Sequence, residues 1–417
     1  MRTTIVLFSL LLLLAASAFS ATTKNDDSCD IALQPAATLL LPYFEVDFKA
    51  APTSASQTLF TIQNVTGLPQ IANVTLWTDA GYAAFSFPIF LTGYDVHPIN
   101  LYDVFAYGNM PGTSPQTTIP TNPTPGSQPV DNTANPNFLP DVATACAQPR
   151  TKLSAPLLLD LQLIFTTGQT GIGIIGCSSK AGSTHTAAIG YATIDVVATC
   201  SAKNPSSSDY FAGTALFDNV LTGDYQQVVP RGSQSYAQGG PLVHIRAIPE
   251  GGAAGSTAAT DLPYTFYDRY TAVLPQRTAD RRQPLPAAFA PRYIQGGKGG
   301  FETSFKLWRE TKNAGACSGT EAASLATQVN FREMVRFDEH ENATVASGGP
   351  IDLFPLIMYT TAAVVVPTTS ILIPPLSASG DVGGWLYMNL DSGDRKRASQ
   401  NWVITSMFAE PTYAVEW

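Results

Sequence analysis

The sequence predicts an all-β protein with two related immunoglobulin-like β-sandwich domains, the first carrying a proline-rich loop and a helical insertion. Three observations lead there. Segments in which apolar and polar residues alternate with period two, the spacing of half-buried strands, recur along the chain. Charged residues make up 13% of it, against about 25% in an average soluble protein, and Gly, Pro, Ser, Thr and aromatic residues are plentiful, a composition of strands and turns. Finally, five segments of residues 37–250 are answered in the same order in residues 288–412: ATLLLPYFEVD by AAFAPRYIQGG, TLFTIQNVTG by TSFKLWRETKN, ANVTLWTDAG by EMVRFDEHEN, AIGYATIDVV by VGGWLYMNLD, and GGPLVHIRAI by SQNWVITSMFA. Such self-similarity is the mark of a copied unit that must bury its own apolar face.

Taken in order, residues 1–20 read as a secretory signal peptide: Arg2, an apolar run from Ile5 to Ala16, then small residues around Ala18 and Ser20. The run is short of the roughly 20 residues that span a bilayer. The later stretches Leu157–Phe165 and Ala362–Ile373 are interrupted by Asp160 and Pro367, so no transmembrane segment is expected in the mature chain.

Domain 1 is expected over residues 21–250. Leu39, Leu41, Tyr43 and Phe44 open it, Phe60 and Ile62 alternate with Leu59, Thr61 and Gln63, and Val74 and Leu76 follow. Ala80-Gly81 supplies a hairpin turn. The run FSFPIFLTGYDVHPINLYDVF contains Pro88 and Pro98, which forbid a fully bonded central strand, so it should lie at an edge or cross between sheets. Residues 109–140 hold eight prolines among polar residues and read as an inserted loop. Ser154-Ala155-Pro156 starts a buried helix over about 154–166, expected to plug an open end of the sandwich. Strands resume at Ala187–Ala198 and Pro241–Ile248, with the stretch between them folded on the rim.

The run EGGAAGSTAATD marks a linker, and residues 251–287 form the linker and inter-domain segment. Domain 2 is expected over 288–417, with strands Phe301–Trp308, Arg332–Phe337, Ala362–Ile373, Gly384–Leu390 and Trp402–Phe408, and a short helix over 318–331.

The formal charge is −9, or −10 once Arg2 leaves with the signal, which makes nucleic acid and anionic lipid poor partners. Export places Cys29, Cys146, Cys177, Cys200 and Cys317 in an oxidising compartment. About fifteen arrangements of two bonds are open. We expect Cys146 with Cys177, tying the ends of the insertion, and Cys29 with Cys200, pinning the N-terminal strand beside ATIDVVATC, with Cys317 free or intermolecular.

No residue constellation fixes a reaction. His97, His185, His244 and His340 show neither i, i+4 pairing nor a cysteine at zinc spacing, so neither metal nor cofactor is expected. Asp338-Glu339-His340-Glu341-Asn342 offers oxygen ligands without the calcium-loop spacing and reads as a solvated turn. Nucleophile-elbow, phosphate-loop and dinucleotide fingerprints do not occur. Sequons at Asn64, Asn73 and Asn342 are taken as accidental.

The densest unusual patch is 264–294, where Arg269, Arg277, Arg281, Arg282 and Arg292 stand among Tyr264, Phe266, Tyr267, Tyr270 and Tyr293. Guanidinium forks and aromatic faces suit a groove for an acidic or sugar ligand, with Arg269, Arg281, Arg282, Tyr267 and Tyr270 as candidate binding residues. The same residues suit an inter-domain joint locked by Arg–Asp pairs, the reading that their position between the copies favours.

The expected protein is therefore an exported non-catalytic structural or adhesion component, periplasmic, extracellular or at the cell surface, binding an unknown extracellular protein or glycan. Two alternatives stand beside it. One is a secreted carbohydrate-active hydrolase using Asp268, Asp280 or Glu310 at the domain junction. The other is an outer-membrane β-barrel, prompted by the aromatic C-terminus Tyr413–Trp417.

Overall fold

The structure is a computed structural model that describes residues 34–79, 81–112, 152–169, 181–200, 203–207, 210–231, 234–247, 267, 282–283, 285, 301–309, 334–338, 343–346, 356–360, 368–372, 384–391 and 400–404. Chain contacts separate Met1–Ile31 from a compact unit Ala32–Trp417, to which every described residue belongs.

In the first half the strands are β1 (Thr38–Val46), β2 (Gln57–Asn64), β3 (Gln70–Thr78), β4 (Ala83–Leu91), β5 (Val96–Asn100), β6 (Ala188–Val197), β7 (Leu221–Arg231), β8 (Gln234–Pro241) and β9 (Val243–Ile245). They form two open antiparallel sheets, β4-β3-β6-β1-β9 and β5-β2-β7-β8. Thr58, Phe60, Ile62 and Asn64 point inward from β2 while their neighbours are half-buried, the period-two pattern of one covered face. β3 and β6 are buried along their whole lengths, as central strands covered on both faces must be. Leu39, Val74 and Ile194 of one sheet share a single buried cluster with Phe60, Ile62 and Ile99 of the other.

Both strand prolines lie on edges. Pro88 sits on β4 opposite Asn73, Pro98 on β5 opposite Thr61, and each strand has a neighbour on one side only. The apolar run 85–105 thus crosses from one sheet to the other and ends in a π-helical turn, Asp103–Tyr107. The hairpin between β3 and β4 turns at Gly81, φ 75°, with its N–H on Thr78 O at 2.9 Å.

Helix α1 (Ala155–Thr167) carries proline in its first turn and ends at Gly168, φ 70°. It packs on β6, β4 and the π-helical turn, burying Leu161, Ile164 and Phe165, while Leu159 is 47% exposed. The helix expected to be buried thus keeps one leucine facing out. Phe165 meets Phe44 and Phe105 at centroid distances of 5.6 and 5.2 Å. Gly190 permits that approach, since a Cβ there would stand 2.1 Å from Trp77 O and 2.9 Å from the Phe44 ring.

The stretch expected to fold on the rim instead holds a one-turn helix α2 (Tyr210–Gly213) and the β7/β8 hairpin, which supplies half of the second sheet. β7 does alternate, but its inward positions include Gly223 and Gln227 beside Leu221 and Tyr225, so its apolar signal is diluted.

The second half contributes β10 (Glu302–Arg309), β11 (Met334–Asp338), β12 (Ala343–Ala346), β13 (Leu356–Thr360), β14 (Thr368–Leu372), β15 (Gly384–Asp391) and β16 (Gln400–Ile404). They form the sheets β13-β10-β15-β16 and β12-β11-β14. Within the strand expected at Ala362–Ile373 the described residues are those of β14, and β13, before it in sequence, lies in a different sheet. All four sheets are open, and none closes into a barrel among the described residues.

Segments that match in sequence do not hold matching places. β10 pairs with β15, whereas their counterparts β2 and β6 lie in different sheets. The interior also crosses the expected domain boundary: Trp308, Trp385 and Tyr387 belong to the same buried cluster as β1, β3 and β6. Trp385 stacks on Trp308 at 4.2 Å, meets Tyr191 edge-on at 4.9 Å, and donates Nε1–H to Pro42 O at 2.8 Å. Pro42 lies where the β1–β6 register shifts between Leu41 and Phe44, which frees its carbonyl for that bond.

Candidate functional site

Where the β10/β15 sheet meets the end of β1 and β7, an open cleft of about 580 Å³, counting its solvent-facing part, is left between them. Tyr43 and Tyr387 form its floor, 3% and 1% exposed, with ring centroids 5.2 Å apart. Gln227 locks both tyrosines. Its Nε2 donates to Tyr43 O at 2.9 Å, and its Oε1 accepts from Tyr387 Oη at 2.6 Å. Tyr43 Oη donates to Glu45 Oε2 at 2.8 Å. Burial, followed by the charge of Glu45, pushes the Tyr43 phenol well above its usual range, so it remains a donor. Lys306 Nζ lies over both rings, 4.4 Å from the Tyr43 centroid and 5.4 Å from that of Tyr387.

The rest of the lining includes Gln57, Gln238, Ser304 and Asn389, amide and hydroxyl groups that both donate and accept. Among the described residues, Glu45 is the one carboxylate lining this cleft. Paired-carboxylate hydrolysis needs two. What the arrangement offers is recognition: a cation, a carboxylate and several amides above a rigid aromatic floor. Sequence reasoning missed it, because its residues come from β1, β2, β7, β8, β10 and β15 and share no local pattern.

Of the residues proposed in the Arg-Tyr segment, Tyr267 and Arg282 are described, and both are interior, 2% and 0% exposed. Arg269, Arg281 and Tyr270 lie outside the described residues, as do Asp268, Asp280 and Glu310. Tyr267 and Arg282 converge on Asp195 of β6, itself 0% exposed. Asp195 accepts from Thr38 Oγ1 at 2.6 Å, Tyr210 Oη at 2.5 Å and Tyr267 Oη at 2.9 Å, and the Arg282 guanidinium stands 3.8 Å away. Arg282 donates from Nε to Thr38 Oγ1 at 2.5 Å and from its terminal nitrogen to Leu216 O at 3.2 Å. Its guanidinium lies over Phe217 and Tyr267, at 5.0 and 5.2 Å. Burial raises the Asp195 carboxyl above its ordinary pKa, with Arg282 and the three hydroxyls acting against that rise. What these two side chains bind is therefore the first sandwich itself. Gln283 N–H on Arg246 O at 2.8 Å fastens the same segment to the end of β9.

Three histidines are described. His185 Nε2 is 2.9 Å from Asp79 Oδ2, and Asp79 also accepts from Ser183 N at 3.0 Å, which clasps the β3–β4 turn to the approach to β6. His244 donates Nδ1–H to Gln34 O at 2.8 Å, and burial lowers its pKa against the opposing backbone hydrogen bonds. His97 lies on β5. No group of three or more metal-ligating side chains occurs among the described residues. In the acidic turn 338–342 only Asp338 is described, as the last residue of β11.

The sequons at Asn64 and Asn73 are buried, 2% and 1% exposed, and their amides are engaged: Asn64 Nδ2 donates to Leu68 O and Thr92 O, Asn73 Nδ2 to Lys203 O. Of the cysteines, Cys200 is described, just after β6, and Cys29, Cys146, Cys177 and Cys317 lie outside the described residues. No helix among the described residues is long and apolar enough to cross a membrane. No protein-family model matches this chain, and no curated protein or solved structure is similar to it at a significant level.

Proposed function

We propose that the chain is an exported, non-catalytic adhesion or binding protein that presents β-sandwich surfaces, with the Tyr43–Tyr387 cleft as its ligand site. One observation carries this reading: the cleft is walled by hydrogen-bonding side chains over a locked aromatic floor, and the one carboxylate among its described lining residues is already engaged by the Tyr43 phenol. That combination holds a ligand and supplies no acid–base pair. In the same reading the chain is two adjoining immunoglobulin-like sandwiches joined through 251–287, and duplication is retained only at the level of segment order. Cys29–Cys200 and Cys146–Cys177 are the proposed disulfides, and export follows from the leader 1–20.

The test applies labelled full-length protein to the surface of the cells that export it. Saturable binding should weaken about tenfold in Lys306→Met, one cation–π or charged contact, with an unchanged melting curve. Release of reducing ends from a polysaccharide, lost in Glu45→Gln, would overturn the proposal in favour of a hydrolase.

A further inference from the structure

At one end of the first sandwich two connections touch: Val65–Pro69 between β2 and β3, and Thr92–Asp95 between β4 and β5. Asn64 pins them. Its Nδ2 donates to Leu68 O at 2.6 Å and to Thr92 O at 2.8 Å, while its Oδ1 accepts from Thr66 N and Oγ1 at 3.0 and 2.8 Å. Tyr94 N donates to Thr66 O at 2.8 Å, and Asn64 N to Asp95 O at 2.9 Å. Gly93 lies so close to the other loop that a Cβ there would stand 2.4 Å from Gly67 O.

Held between these bonds, Tyr94 has φ 57°, the one positive φ outside glycine among the described residues. For a bulky side chain this left-handed conformation is unfavourable, and glycine would adopt it freely. The tyrosine adds little to the core in exchange. It is 68% exposed, with its ring edge resting on Gly67, 3.3 Å from where that residue's Cβ would be. Val65 and Val96, at the roots of the two loops, are 37% and 55% exposed. An immobilised aromatic ring kept at a conformational cost in full view of solvent points to use of the ring itself.

We propose that these loops form a contact site for one neutral sugar ring of a glycan, its apolar face stacked on Tyr94. Three side chains at these exposures offer a few hundred Å², short of the roughly 800 Å² per partner of a stable protein interface, but enough for one ring. Asp95 is the one charged residue in 64–70 and 92–96, so no cation is present to hold a phosphate or carboxylate, and the net charge of −9 repels an anionic ligand. The backbone groups of the loops are largely spent on each other, which leaves the ring face as the specific element. This site is separate from the Tyr43–Tyr387 cleft and does not depend on it.

The test is affinity electrophoresis of the full chain through gels containing soluble neutral polysaccharides (β-glucan, xylan, galactomannan, starch) and one polyanionic control. Wild type and Tyr94→Phe should be retarded by at least one neutral polymer, and so should the cleft variant Lys306→Met. Tyr94→Gly should lose about tenfold in affinity, one aromatic stacking contact, with a melting temperature equal to or above wild type. Absence of retardation by every neutral polymer would overturn the proposal, as would unchanged retardation of Tyr94→Gly or preference for the polyanion. Lower melting temperatures in both Tyr94→Gly and Tyr94→Asn would make the ring structural. A change of sedimentation coefficient in Tyr94→Gly would make the surface a contact between copies of the chain, and either result removes the sugar.

Discussion

Replacement of Arg282 separates a structural joint from a ligand groove. In Arg282→Ala, Asp195 stays at 0% exposure without the cation that stands 3.8 Å from it, and Leu216 O loses its guanidinium donor. Removing one partner of a buried pair costs about 3–5 kcal/mol, because the other charge remains in the interior. Each buried acceptor left without a donor costs about 1–3 kcal/mol, but these terms describe overlapping atoms and do not add. We therefore expect a loss of about 4 kcal/mol. Arg282→Met keeps an apolar stem over Phe217 and Tyr267 and should lose about 1 kcal/mol less, one partly retained packing contact. Arg282→Met combined with Asp195→Leu should recover part of the loss, since neither charge is then buried. Equilibrium unfolding in urea, followed by the fluorescence of the Trp77, Trp308 and Trp385 cluster, reads all three. A loss under about 1 kcal/mol in Arg282→Ala, the worth of an exposed pair, would refute the reasoning. So would an unchanged unfolding curve together with lost ligand binding.

Two further predictions use the same assay. Burial raises the Asp195 carboxyl above its ordinary 3.8, so the folded state holds its proton more tightly than the unfolded state. The stability from this group is full below that ordinary value and is lost as pH rises through the folded one. Asp195→Asn, which cannot ionise, should show a flatter stability profile over the acidic range, and a steeper decline with rising pH would contradict the assignment. Trp385→Ala removes a side chain 0% exposed, together with its bond to Pro42 O and its stack on Trp308, and should cost about 3–5 kcal/mol. Hydrogen exchange should then accelerate in β10 and β15 before β3 and β6; uniform acceleration would mean that the sheets do not separate.

Much of the first sandwich was legible because its apolar residues alternate in place. The period of β2, the turn at Gly81 and the edge positions of Pro88 and Pro98 all follow from local chemistry. β7 was not legible, since glycine and glutamine fill inward positions where the pattern expects an apolar side chain, and Gln227 is buried for its hydrogen bonds. The placing of β13 and β14 in different sheets was hidden because the run 356–373, apolar but for Thr360, Thr361, Thr368, Thr369 and Ser370, shows no regular alternation. The ordered resemblance of segments could not say which strands pair, because pairing is decided by contacts between distant segments. The cleft was illegible for the same reason.

The Arg-Tyr segment shows how a composition leaves the role of its side chains open. Guanidinium and phenol groups recognise carboxylates equally well on a ligand or in a protein's own core, and sequence carries no sign of which will be met. Asp195 is what tips the balance for Tyr267 and Arg282. It lies on a strand buried on both faces, where an ionised carboxylate needs every available donor, and three hydroxyls and the guanidinium are drawn in to serve it. Once those groups are committed inward, the surfaces left for the proposed recognition are made otherwise: the amide-lined cleft over Tyr43 and Tyr387, and the loop pair that holds Tyr94. Both present an aromatic group beside backbone and amide hydrogen bonds, and in the cleft the charges of Lys306 and Glu45 offset each other. On a chain of net charge −9, such surfaces suit neutral, hydroxyl-rich partners better than anionic ones.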